Sequence, residues 1–238
     1  LALQAYQQSL IYLRSVQDRR NEAQNLSDLA SLLQHRQQPT LAIVFYKQAV
    51  NVYEHIRQDL QTLPREAREL YTSSVATTYR NLADLLLMQG RIQEAQEVIE
   101  LLKVQEIRGY GTANTLETQV TLQPLEIIAF EPFEAAIEQQ LPLQLSDFTG
   151  MGQSLNAETL KQGGTQLGKG HKGNLQRLLT AQNHAIVIQN LVVGDKLWVL
   201  WTSLEKGTQA VAIDSVKSTQ LTETVQQFQS QLSNPMSN

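Results

Sequence analysis

Two stretches of this chain carry the same spacing of large and small apolar residues. In LSDLASLL, Leu26, Leu29, Ala30 and Leu33 are followed by Ala42 and Tyr46; in YRNLADLL, Tyr79, Leu82, Ala83 and Leu86 are followed by Ala95 and Ile99. In each copy the second large residue stands 13 positions before the second matched alanine, Leu29 to Ala42 and Leu82 to Ala95. Positions i, i+3, i+4 and i+7 share one helix face, so each copy predicts a pair of antiparallel helices. The alanines let the two backbones approach, and the larger side chains fill the space that remains. An ordinary helical bundle would match six positions only by coincidence.

A partial third copy opens the chain, with Ala2, Tyr6 and Ser9 spaced like Ala42, Tyr46 and Ala49. The copies are uneven: 40 residues separate Ala2 from Ala42, and 53 separate Ala42 from Ala95. The excess predicts one long helix to about Leu60 and another from about Pro64, because proline suits a helix's first turn. Gly90 is placed to end the penultimate helix with a left-handed residue. Leu3, Leu10, Ile11 and Leu13 would leave apolar surface at the N-terminal end, which predicts further repeats ahead of Leu1 in the parent protein.

Three segments follow from composition and period. Residues 1–108 read as helical repeats, 109–173 as an irregular polar linker, and 174–238 as strands and a helix. In HAIVIQNLVVGDKLWVLW the period becomes two and Gly194-Asp195 marks a hairpin turn; QAVAIDS reads as a third strand. Leu221, Val225, Phe228 and Leu232 then recur at helical spacing. The expected fold is a helical repeat array followed by a small α/β segment.

At these residues the chain resembles a known arrangement. The first helical pattern is similar to the tetratricopeptide repeat, with Leu26 where tryptophan is usual and alanine for glycine at 30 and 83. LAIVFYKQAVNVYEHIRQDL, the second repeat through LLKVQEI, the hairpin and QQFQSQLSNP together resemble cyanobacterial-type tetratricopeptide–CHAT proteins over about residues 1–108 and 174–235. That resemblance implies a repeat array feeding a caspase-like CHAT domain. Complete members carry a catalytic His and Cys beyond the opening strands. This sequence ends before that region and contains no cysteine, so no catalytic residue is assigned.

Several candidate sites reduce to plainer readings. In GGTQLGKGHKG, Gly163 and Gly168-Lys169 imitate a phosphate loop. Gly170 stands where the magnesium-binding Ser or Thr belongs, no strand leads in, and the next helical pattern begins too late. The run reads as a flexible linker. Of the histidines at 35, 55, 171 and 184, neither His35 nor His55 has a second ligand at metal spacing and His184 has no nucleophile partner, so neither metal nor cofactor is expected. Glu131 and Glu134 read as surface residues of the linker. Trp198 and Trp201, three apart in one strand, should face opposite sides of a sheet.

Composition narrows the function classes. A net charge of -4 with scattered Lys and Arg offers no basic stripe for nucleic acid. No apolar run is long enough to cross a bilayer, and a cytoplasmic location is the expectation. The remaining candidate site is the inner surface of the repeats. There the register places Gln24, Ser27, Asp28, Ser31 and Gln34 on one helix and Thr77, Arg80, Asn81, Asp84 and Met88 on another. This mixed polar set suits hydrogen bonding to a protein or peptide, or to the CHAT module in cis. The function expected is a non-catalytic interaction segment; the alternative is a fragment of a caspase-like cysteine peptidase whose catalytic half lies past Asn238.

Overall fold

A computed structural model describes residues 2–62, 64–110, 128, 130–132, 134, 135, 137, 186–214, 216 and 223. The chain divides into two compact units, Leu1–Gly170 and His171–Asn238. The division falls inside the glycine run, which itself lies outside the described residues, as do His171, His184 and all but one residue of the helical pattern at 221–232.

Among the described residues the first unit holds the α-helices α1 (Ala2–Ser15), α2 (Arg19–His35), α3 (Pro39–Asp59), α4 (Arg65–Met88) and α5 (Ile92–Tyr110), with a 3-10 turn at Leu60–Thr62 after α3. Helix α2 packs against α3, α4 against α5, and α3 against α4, so the hairpins stack in chain order. All twelve matched positions of the two copies lie in the core, none more than 1 % exposed. Ala30, Ala42, Ala83 and Ala95 are thus buried within the helix pairs, where a small side chain permits close approach. Ala2 of the partial copy is exposed. At the same end Leu10 is buried and Leu3 and Leu13 are half-buried, against expectation, and the exposed large apolar residues are Ile11, Tyr12 and Val16.

Of the connections between these described helices, three are the same turn. Gln17, Gln37 and Gly90 each adopt a positive φ of 58°, 57° and 74°. Each N–H bonds back to the carbonyl three residues earlier, in Arg14, Gln34 and Leu87. The following N–H, of Asp18, Gln38 and Arg91, reaches the carbonyl five residues back, in Leu13, Leu33 and Leu86. These paired bonds define the Schellman motif. In every case the residue after the left-handed one caps the next helix, so two helices are joined with nothing spare between them. Its carbonyl then accepts the first bond of that helix, from Glu22, Ala42 or Ala95. The invariant interval from Leu29 to Ala42 and from Leu82 to Ala95 is the length of this connection plus the flanking helical turns. The fourth connection, through the 3-10 turn to Pro64 as N-cap of α4, is longer and accounts for the uneven repeat spacing.

Helix α3 is buried without interruption from Leu41 to Val50, polar residues included. An amphipathic surface helix would expose part of every turn. The additional cover comes from the segment around 128–137: Asn51 of α3 donates Nδ2–H to the Ile128 carbonyl at 3.2 Å and accepts its N–H at 3.0 Å.

In the second unit β1 (Val187–Val193), β2 (Lys196–Ser203) and β3 (Gly207–Asp214) form an antiparallel meander in that order. The Val193↔Lys196 pair closes a two-residue turn in which only Gly194 has positive φ, the arrangement of type II′. Gln189, Leu191, Trp198, Leu200 and Thr202 are buried on one face. Trp201 is half-buried on the other, beside exposed Ile188, Val211 and Ile213. The two tryptophans do face opposite ways.

Candidate functional site

Several residues assigned to the inner surface bond to side chains of α3. Tyr46 and Tyr53, two turns apart on that helix, send their hydroxyls between α2 and α4. The Tyr46 hydroxyl donates to Gln34 Oε1 at 3.4 Å and accepts from Asn81 Nδ2 at 3.5 Å. The Tyr53 hydroxyl approaches Gln24 Oε1 at 3.5 Å, and Gln24 Nε2 donates to Asp28 at 2.9 Å. Burial pushes both hydroxyls above their ordinary range, and the negative charge of Asp28 adds to that push. Both remain protonated donors at neutral pH.

The ten residues assigned to this surface divide by exposure. Gln24, Thr77 and Met88 are exposed, while Asp28, Ser31, Gln34, Arg80 and Asn81 are half-buried. Ser27 and Asp84 are buried instead of lining open surface. The Ser27 hydroxyl is joined to that of Thr78 at 2.9 Å, a buried polar stitch from α2 to α4. Helical register alone put Ser27 toward the groove; the closeness of α4 covers it. His35 Nδ1 lies 2.7 Å from the Ser31 carbonyl at the end of α2, and His55 is exposed. Among the described residues no group of three or more His, Cys, Asp or Glu is placed to hold a metal ion.

The densest chemistry lies on a different face of α3. Lys47 Nζ donates to Glu94 Oε2 at 2.6 Å and to Glu134 Oε2 at 2.7 Å. Arg91 Nε and Nη2 grip the Glu94 carboxylate in bidentate fashion at 2.6 Å each, while Nη1 reaches Glu134 Oε1 at 2.6 Å. Two cations and two carboxylates thus form a closed ring in which every cation bonds both acids. The Glu131 N–H adds a bond to Glu134 Oε2 at 2.8 Å, and the Phe130 ring lies 5.9 Å from the Lys47 ammonium. Side chains of Lys47 and Glu134 are fully inaccessible. Glu134 is therefore not the surface residue that its polar surroundings in the sequence suggested. Its acidic neighbour Glu131 is half-buried.

Electrostatics follow from that closure. Burial raises the Glu94 carboxyl, but Arg91 and Lys47 outweigh it and hold Glu94 below the usual range. Burial likewise pulls the Arg91 guanidinium down, yet bonds from Glu94 and Glu134 leave it more basic than usual. Burial pushes Glu131 up, and the charge of Glu94 pushes it further. A second buried carboxylate, Glu54, takes Tyr79 Oη–H at 2.7 Å and Arg57 Nε–H at 2.8 Å, tying α3 to α4.

Fold and sites together define a helical-hairpin stack closed by an internal ionic ring, with a separate antiparallel meander. No family model matches the chain, and neither the curated proteins nor the solved structures give a match. Among the described residues no helix is long and apolar enough to cross a membrane.

Proposed function

We propose that residues 2–110 are a tetratricopeptide-type array and that the segment is a non-catalytic protein-interaction scaffold. The observation that carries this reading is the burial of all twelve matched positions in two hairpins joined by the same Schellman turn. On this reading α2 and α4 line the concave surface, and the accessible polar side chains Gln24, Asp28, Gln34, Arg80 and Asn81 hydrogen-bond an extended protein segment. Only Arg80 supplies a cation in that set, so the recognised segment is neutral in its central part. The meander is assigned to the opening strands of a CHAT-like domain; with no cysteine in the chain, no thiol nucleophile comes from it.

A displayed peptide library selected against the full chain tests the reading. Peptides enriched on the wild type should lose at least about tenfold in affinity on the Gln34→Ala, Asn81→Ala double variant, the scale of one to two lost hydrogen bonds. Enriched peptides that bind both proteins equally would remove the groove from consideration.

A further inference from the structure

The segment around Ile128 and Glu134 meets α3, and Arg91 at the start of α5, through contacts of the kind that recognise a peptide. Its main chain is read by a side chain: the Asn51 amide pairs with both the N–H and the C=O of Ile128, as a neighbouring strand would. Two aliphatic residues of the segment, Ile128 and Ile137, are buried, at 3 % and 5 % exposed. Between them the Glu134 carboxylate enters the Lys47–Arg91 pair and Phe130 lies against the Lys47 ammonium. Lys47 and Arg91, which both also bond Glu94, present two cations to the one acid that the segment brings, Glu134. A desolvated ion ring adds little net stability compared with apolar packing, but it rejects wrong partners strongly. Residues 111–127 separate the segment from the end of α5, so its position is specified by these contacts and not by adjacency in sequence.

We propose that the face formed by Lys47, Asn51, Arg91 and Glu94 is a peptide-recognition site, filled in this chain by the segment that carries Ile128, Phe130 and Glu134. Its ligand chemistry is an aliphatic residue, an aromatic two positions on, an acid six positions on and a second aliphatic nine positions on. The site is separate from the α2/α4 surface and stands whether or not that surface binds anything.

Two experiments on the full chain test this. In the first, Ile128→Ala with Glu134→Ala vacates the site, and a fluorescent synthetic peptide spanning 126–139 is titrated in. The vacated chain should bind it saturably, at least about tenfold more tightly than the wild type, whose own segment competes at roughly millimolar effective concentration. Adding Asn51→Ala should abolish that binding, and a peptide carrying Glu134→Lys should not bind. A folded vacated chain that ignores the peptide, or binds the Glu134→Lys peptide equally, would overturn the proposal. The second keeps every contact residue native and covers the case in which the vacated chain does not fold. Protease sites are inserted within 112–125 and 141–160 and cleaved, and the nicked protein is incubated with excess labelled peptide. Exchange of the peptide for the native fragment, with the helical circular dichroism intact, is expected. Loss of helix on nicking, or a fragment that never exchanges, would make the segment permanent core and sink the idea.

Discussion

Lys47 and Glu134 lie 87 positions apart in sequence and 2.7 Å apart in space, both with fully inaccessible side chains. Neither charge is tolerable there alone, because an uncompensated ion away from water costs several kcal/mol. Lys47→Met leaves two carboxylates against Arg91 alone, and should destabilise the helical unit by about 3–5 kcal/mol. Combining Lys47→Met with Glu134→Gln restores a balanced Arg91–Glu94 pair and should recover much of that loss. Urea unfolding followed by helical circular dichroism reads both values; additive losses in the double variant would show that the two residues act separately.

The two acids near the ring should respond to pH with opposite sign. Glu94 is depressed in the folded state, so its contribution is complete above the ordinary carboxylate value of 4.5 and is lost as pH falls through the folded value. Glu131 is raised, so its contribution is complete below 4.5 and is lost as pH rises through its folded value. Glu131→Gln should therefore raise the urea midpoint at pH 7, and the gain should vanish in acid below 4.5. Glu94→Gln should lower the midpoint at pH 7 and flatten the acid limb. Parallel pH profiles for the two variants would contradict this assignment.

The three Schellman turns offer a matched comparison. Gln37 holds φ at 57°, where a side chain costs roughly 1 kcal/mol that glycine avoids. Gln37→Gly should raise thermal stability, and Gly90→Ala should lower it by a similar amount, about 1 kcal/mol. Open space surrounds the position a Cβ would take at Gly90, so any loss there reports backbone conformation and not a clash. Equal melting temperatures for both variants and wild type would show that these turns are not strained.

What could be read in the sequence was whatever repeats locally. The helical hairpins, the αL residue at Gly90, the start at Pro64 and the turn at Gly194-Asp195 all follow from period and residue chemistry within a few positions. The same turn at Gln17 and Gln37 was not legible by residue type, because glutamine carries no left-handed signal. It was legible by spacing, since Leu13, Leu33 and Leu86 each stand four residues before the left-handed position. The ionic ring was hidden for a different reason. Glu134 sits in a polar stretch, and only a contact across 87 positions makes it buried. One local sign existed: Lys47 interrupts the apolar run of α3, in which Leu41 to Val50 are all buried. A lysine there requires an acid from elsewhere. Ser27 shows the converse limit, since helical register gave its direction but not the depth at which α4 covers it.

The alanines of the two hairpins make the strictest prediction. If close helix approach is what selects them, enlarging one must push two backbones apart, since Leu29, Leu33, Tyr46 and Leu82 of the same repeats are themselves fully buried. Ala42→Leu and Ala95→Leu should each destabilise the helical unit by about 1–3 kcal/mol. Ala2→Leu supplies the control: the residue occupies the equivalent place in the partial copy but is exposed, so its change should stay within about 0.5 kcal/mol. The contrast between Ala42 and Ala2, read from urea midpoints on the full chain, isolates packing from helix propensity, because leucine and alanine are both strong helix formers. A neutral Ala42→Leu would mean that α2 and α3 do not need a small residue at their crossing, and the matched spacing would lose its physical basis.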